Sequence, residues 1–180
     1  MSPPEASLAP SAPLATLRGP MSTAMPDRPA PLAKPRRFAV VASIYNTEFV
    51  DGLIASAQAE LALIAPGSSV EVHRVPGSFE IPLAVQALAE SGAADAIFAF
   101  GLIWEGETSH ADLIATAVTR ALLDLSLRFH MPVLHEVIVV QTEEQARERC
   151  LGTTLNRGTE AARAAVRMLP ALEGIANRSR

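Results

Sequence analysis

From Phe38 onward, short apolar runs alternate with longer amphipathic stretches, joined by links of a few residues. A chain written this way has few options. Each strand is followed by a helical crossover that brings the next strand back in the same direction, so the outcome is a parallel sheet with helices on its faces. Phe38–Ile44 (FAVVASI) is continuously apolar, as a strand buried on both faces requires. The next segment places apolar residues at Val50, Leu53, Ile54, Ala57, Leu61 and Ile64, with Thr47 positioned to cap it and Pro66-Gly67 to end it. Val70–Val75 reads as a second strand, closed by the sharp turn at Pro76-Gly77. A helix over about Phe79–Glu90 stops at Gly92. Ala94–Ile103 is the third strand, and Thr108–Phe129 a long amphipathic helix with Leu113, Ala117, Leu122 and Leu125 inward. Pro132–Val140 is the fourth strand, Thr142 caps a helix through about Arg149, and Asn156–Leu169 supplies the last helix.

This pattern fits an α/β fold, a flavodoxin-like three-layer α/β/α sandwich on a four-stranded parallel sheet, over residues 38–170, with 171–180 as a C-terminal tail. Hydrophobic residues make up 49% of the chain and aromatics 4%, so the core must be built mainly from aliphatic side chains. Residues 1–37 are different in kind. They hold nine of the 14 prolines and carry a net charge of +3, against −7 for the remainder. No helical or alternating period survives so many prolines, and the segment reads as a disordered tail. It lacks the apolar stretch of a signal peptide; a transit peptide, or a natural start at Met21 or Met25, stays open. No run approaches the roughly 18–20 apolar residues of a membrane span. A net charge of −4 argues against nucleic acid as the main partner, and one cysteine, Cys150, excludes an internal disulfide framework and a multi-cysteine metal site. The expected setting is the cytoplasm, with neither membrane nor nucleic acid as partner.

In open parallel sheets, ligands lie outside the carboxyl ends of the strands. That rule singles out four loops: Tyr45-Asn46, Gly77–Glu80, Trp104–His110 and the chain from Gln141. In the third, Gly106 permits a turn, Glu107 and Thr108 open a long helix whose free N–H groups suit a phosphate, and His110 reaches the same mouth. An imidazole there can give and take a proton; the plainer reading is a capping threonine beside an exposed histidine. In the second loop, Ser78, Phe79 and Glu80 follow a backbone stiffened by Pro76 and Pro82, which serves either a planar ligand or simply a rigid turn. Tyr45, the only tyrosine, suits stacking on a flat heterocycle beside the Asn46 amide, or capping of the core. Arg149 suits a phosphate fork or an ordinary helix surface. His73, His130 and His135 are too scattered for a metal site.

The folded part contains no lysine, since Lys34 is the only one in the chain. A lysine Schiff base is thereby excluded, and any imine must use an amine brought by a substrate. The G-x-x-x-x-G-K-[ST] and G-x-G-x-x-G signatures are both absent.

Tyr45-Asn46 after the first strand, P-G-S-F-E-I-P at 76–82 and G-E-T-S-H at 106–110 occur in this order on the expected loops. With E-E-Q-A-R-E-R at 143–149 and Asn156-Arg157-Gly158, they resemble the 6,7-dimethyl-8-ribityllumazine synthase family over about Phe38–Leu169. The resemblance implies condensation of 5-amino-6-(D-ribitylamino)uracil with 3,4-dihydroxy-2-butanone 4-phosphate, the penultimate step of riboflavin biosynthesis, without a cofactor. It implies Tyr45 against the pyrimidine ring; Phe79, by its own chemistry, is a further candidate for contact with a planar ligand. Asn46, Ser78 and Glu80 would hold the ribityl chain, and the backbone of Leu102, Ile103 and Trp104 would meet the ring edge. Glu107, Thr108 and Arg149 would bind the phosphate, and His110 would shuttle protons.

Several positions depart from the family's usual pattern. Trp104-Glu105 stands where Ile-Arg is common, His135 where a pocket-closing Phe is usual, and Arg157 in place of a frequent Lys. The resemblance further implies a homo-oligomer with sites between subunits: a pentamer, with decamers and 60-subunit shells as larger forms. Riboflavin synthase is a partner it allows. Arg36–Val40 is the expected segment for adding a strand to a neighbouring subunit. Two readings from other classes stand beside the enzyme, a catalytically idle lumazine- or flavin-binding homologue and a shell-forming protein. A phosphosugar isomerase would leave Tyr45 and Phe79 unexplained.

Overall fold

The computed structural model describes residues 25–106 and 109–178. Four strands form one sheet, all parallel: β1 (Arg37–Ser43), β2 (Ser69–Val75), β3 (Ala96–Trp104) and β4 (Val133–Val140), in the order β2-β1-β3-β4. The helices are α1 (Thr47–Ile64), α2 (Ile81–Ser91), α3 (His110–Phe129), α4 (Glu143–Leu151) and α5 (Arg157–Arg178), and a single 3-10 turn at Ser78–Glu80 precedes α2. This is the expected three-layer sandwich. Among the described residues no helix is long and apolar enough to cross a membrane.

Strand alternation sorts the core into two layers. Phe38, Val40 and Ala42 of β1, with Phe98 and Phe100 of β3, face α1, α4 and α5. There they meet the inward stripe Val50, Leu53, Ile54, Ala57, Leu61 and Ile64 of α1. Ala39 and Val41, with Ile97 and Ala99, face α2 and α3 through Ile81, Val85, Val118, Leu122 and Leu125. Both faces of β1 and β3 are covered, which is why those strands read as unbroken apolar runs.

Several details depart from the sequence reading. Leu113 and Ala117 point outward from α3, and the buried positions are Ala111, Val118, Leu122 and Leu125. The helix carries apolar residues on two faces, so its period does not by itself say which face is inward. Asn46, not Thr47, stands at the N-cap of α1, and the Thr47 hydroxyl instead donates to the Ile44 carbonyl at 2.5 Å. Thr142 does cap α4, accepting from the Gln145 N–H at 3.2 Å. Helix α5 runs past Pro170 to Arg178, into the expected tail. A proline keeps a helical φ, and its missing N–H removes one bond without ending the packing of the turns around it.

Arg36–Val40 is not spare for a neighbour's sheet. Arg37–Val40 pairs with Ser69–Val72 on one side, and Phe38–Val40 with Ala96–Phe98 on the other, all within the chain. Residues 25–36, the described part of the segment before β1, form an arm laid over α1 and α5. The Leu32 N–H donates to the Ile64 carbonyl at 2.8 Å, and Arg163 and Arg167 donate to the carbonyls of Pro26 and Asp27, each at 2.5 Å. Arg28 and Arg163 close on the Glu60 carboxylate at 2.7 and 2.8 Å. Glu60 is only 5% exposed, so two guanidinium groups compensate a carboxylate held out of water.

Gly158, in the first turn of α5, allows α5 to touch α1. A Cβ there would collide with the Leu53 carbonyl oxygen and lie 3.0 Å from its carbon. Gly158→Ala is expected to lower stability by about 1–3 kcal/mol, because backbone cannot yield as a side-chain tip would. A thermal melt checks this, and an unchanged midpoint would remove the α1–α5 contact as the cause.

Candidate active site

The strand order reverses around β1 and β3, whose successors leave in opposite directions across the sheet. The two loops leaving such neighbours diverge and open a crevice at their carboxyl ends. A cleft of about 350 Å³ lies there, lined by Tyr45 and Asn46 after β1, Gly77–Glu80 after β2, Leu102 and Ile103 of β3, and Ile114 of α3. Seven of the residues singled out from sequence therefore share one cavity: Tyr45, Asn46, Ser78, Phe79, Glu80, Leu102 and Ile103.

Tyr45 and Phe79 are 70% and 62% exposed, so each presents apolar surface outward instead of burying it in the core. Backbone bonds Ile44 N–H to Val75 O (2.8 Å) and Tyr45 N–H to Pro76 O (3.3 Å) hold the first two loops together beyond the strands. Glycine at 77 supplies room. A Cβ there would lie 3.1 Å from a Glu80 carboxylate oxygen and 3.2 Å from the Tyr45 ring. Ser78 is buried, and Gly101 of β3 makes space for its hydroxyl, which would stand 2.7 Å from a Cβ at 101. By sequence these two glycines belong simply to a turn and a strand. The close approach of side chains from other loops is what requires them, and no local pattern announces it.

Asn46 adopts the left-handed conformation (φ 60°, ψ 41°), which asparagine tolerates better than most residues. Its side-chain N–H donates to the Leu102 carbonyl at 2.8 Å, and its Oδ1 accepts from the Trp104 indole N–H at 3.0 Å. Trp104 itself does not line the cleft. It packs edge-on against Phe49 at 6.0 Å, and the Arg147 guanidinium lies 5.8 Å from the same phenylalanine ring.

His110 is the first residue of α3 and is exposed. It does not itself line the cleft, although Ile114, one turn further along α3, does. Glu107 and Thr108 lie outside the described residues.

His135 and Arg149 do not line this chain's cleft. His135 pairs with Ala99 near the middle of the sheet. Its Nδ1 accepts the Val137 N–H at 3.1 Å, so the ring proton is on Nε2 and is donated to the Thr119 hydroxyl at 2.7 Å. Burial pushes the His135 pKa below its ordinary value, which keeps the ring neutral. Arg149 meets Gln145 Oε1 at 3.5 Å, with no carboxylate in ion-pair reach among the described residues.

Residues 35–173 match the model of the family described as 6,7-dimethyl-8-ribityllumazine synthase. The chain belongs to that family. A protein of this name from Halorhodospira halophila is 41% identical over 134 residues, covering 74% of this chain and 86% of the relative. One from Xanthomonas euvesicatoria pv. vesicatoria is 37% identical over 138 residues, covering 76% and 90%. One from Methylorubrum populi is 38% identical over 138 residues, covering 74% and 80%. All of the cleft residues fall within the span of the family match.

Proposed function

We propose that the chain condenses 5-amino-6-(D-ribitylamino)uracil with 3,4-dihydroxy-2-butanone 4-phosphate to 6,7-dimethyl-8-ribityllumazine, the penultimate step of riboflavin biosynthesis. The observation that carries this reading is the cleft at the strand-order reversal, where an exposed tyrosine, an exposed phenylalanine, an asparagine and a glutamate converge. The uracil amine attacks the ketone carbonyl, and loss of water gives an imine. Loss of the C3 proton expels phosphate from C4 and leaves an enol, which takes a proton at C4 and loses one from its hydroxyl to give a carbonyl at C3. The ribitylamino nitrogen then attacks that carbonyl, and a second water leaves as the ring closes. The amine comes from the substrate, since the chain's single lysine, Lys34, lies on the arm and not at the cleft.

In this reading Tyr45 and Phe79 flank the pyrimidine. Ser78 and Glu80 face the ribityl hydroxyls, the backbone of Leu102 and Ile103 meets the ring edge, and Glu107 and Thr108 receive the phosphate. His110 moves the protons at the rim. Holding both substrates together makes the first bond-forming step effectively intramolecular, an effect worth up to about 7–11 kcal/mol in favourable systems.

The cleft is completed by a neighbouring subunit in a homopentamer that works in the cytoplasm. Supporting this, α2 and α3 leave an apolar groove of about 540 Å³ with Leu83 74% exposed, a surface unusual for a monomer. Arg149, without a carboxylate partner here, extends into the adjacent subunit's phosphate site, and His135 covers the adjacent pyrimidine. Arg149→Ala is expected to raise KM for the phosphorylated ketone about 10-fold or more and leave KM for the uracil nearly unchanged. An unaltered ketone KM takes Arg149 out of the site. Turnover of both substrates, followed by lumazine fluorescence on protein sized by light scattering, tests the whole reading. Folded, assembled protein that forms no lumazine would overturn it in favour of an idle binding homologue.

A further inference from the structure

We infer that Trp104 is a positioning residue for the pyrimidine substrate, acting through Asn46 and not by touching the ligand; this rests on the reading above. The chemistry of the contact fixes its direction. An indole N–H can only donate and a backbone carbonyl can only accept. Asn46 therefore turns its Oδ1 to Trp104 (3.0 Å) and its Nδ2 to Leu102 O (2.8 Å), and the opposite flip would break both bonds. One lone pair and one N–H of the amide remain for a ligand, in directions set by the two bonds already made.

Both anchors matter. Leu102 belongs to the wall of the cleft, so the amide joins the loop after β1 to the wall made by β3. Trp104 lies outside the cleft and is steadied from behind by Phe49 (6.0 Å). Behind that ring sits Arg147 of α4, which is paired with Glu48 at 3.1 Å and Glu143 at 2.8 Å. The indole thus rests on a helix at the far side of the loop pair, and its N–H holds one end of an amide whose other end is bonded to the cleft wall. A residue with no donor at 104 leaves Oδ1 without this partner and the amide free to rotate.

The test is a double-mutant cycle on the intact assembly. Trp104→Phe keeps a ring against Phe49 and removes only the N–H. Asn46→Gly removes the amide and keeps a residue at ease in the left-handed conformation. W104F is expected to raise KM for the ribitylaminouracil about 10-fold, with kcat and KM for the phosphorylated ketone within about 2-fold of wild type. In the N46G background W104F should add nothing, because the residue through which it acts is gone. Equal increases in both KM values, multiplying effects, or no change in W104F would each overturn the inference. Direct titration with 6,7-dimethyl-8-ribityllumazine gives the same cycle as Kd values without turnover. Wild-type protein that binds this lumazine but does not turn over refutes the catalytic reading, and a non-additive Kd cycle then still supports the role of Trp104. Normal turnover with an additive cycle refutes only the latter. If W104F does not fold, Trp104→His, whose ring N–H can still donate, and Trp104→Met, which has no donor, are titrated instead; weaker lumazine binding in the second alone supports the inference, and equal Kd values in the two overturn it.

Discussion

Replacing His110 by alanine leaves the protein folded and assembled and lowers kcat by about 10²–10⁴-fold, the usual contribution of a positioned general acid–base. The fold should survive because the side chain is exposed at the start of α3 and makes no hydrogen bond among the described residues. Turnover should persist at the lower rate, because the substrates are still held together by the cleft and by the backbone around Leu102 and Ile103. KM values should move little, since an imidazole at the rim carries protons and not the ligand's weight of contacts. Steady-state kinetics checks this. An unchanged kcat removes His110 from the proton transfers, and loss of assembly would show that it has a structural task instead.

Glu60→Ala should be the most damaging change away from the cleft. The carboxylate is buried between Arg28 and Arg163, and hydrogen bonding by Arg28 is the largest cause that draws its pKa down to about 2 against the opposing effect of burial; Arg163 adds to the lowering. A folded pKa below the unfolded value means stability that is present above the unfolded value and lost as pH falls. The window here runs from about 4.5 down to about 2. The shift corresponds to about 3 kcal/mol near neutral pH. Removing the carboxylate should cost about that much, or roughly 6–12 °C in Tm for a domain of this size. It also releases the arm from α1. Melts of the variant and the wild type at neutral pH and near pH 2 check it together: the gap between them should close in acid. A gap that stays constant with pH would mean that packing, not charge, holds the arm.

Much of the site was legible because of where chemistry must sit in a parallel sheet. Tyr45, Ser78, Phe79 and Glu80 follow strand ends, and the topology alone then brings them together. What escaped has a common physical origin in contacts between distant positions. The Trp104–Asn46 bond spans 58 positions, and neither residue's neighbours hint at it. The prolines of the arm destroy any period that would signal order, yet residues 26–28 are held by arginines and backbone carbonyls that need no period. Leu113 and Ala117 were assigned inward because α3 is apolar on two sides, and only the position of the sheet breaks that tie. His135 and Arg149 could not be placed by one chain's periodicity at all, since neither faces its own cleft.

Lys34 sits on the arm beside Leu32 and Pro170, next to the amino ends of the strands, while the cleft opens at their carboxyl ends. A seven-residue strand separates the two by roughly 20 Å. Besides the α-amine, reagents that react with primary amines therefore find one side chain per chain, on the far side of the sheet from the cleft. A dye, a cargo or a support attached to that lysine leaves the mouth of the cleft open.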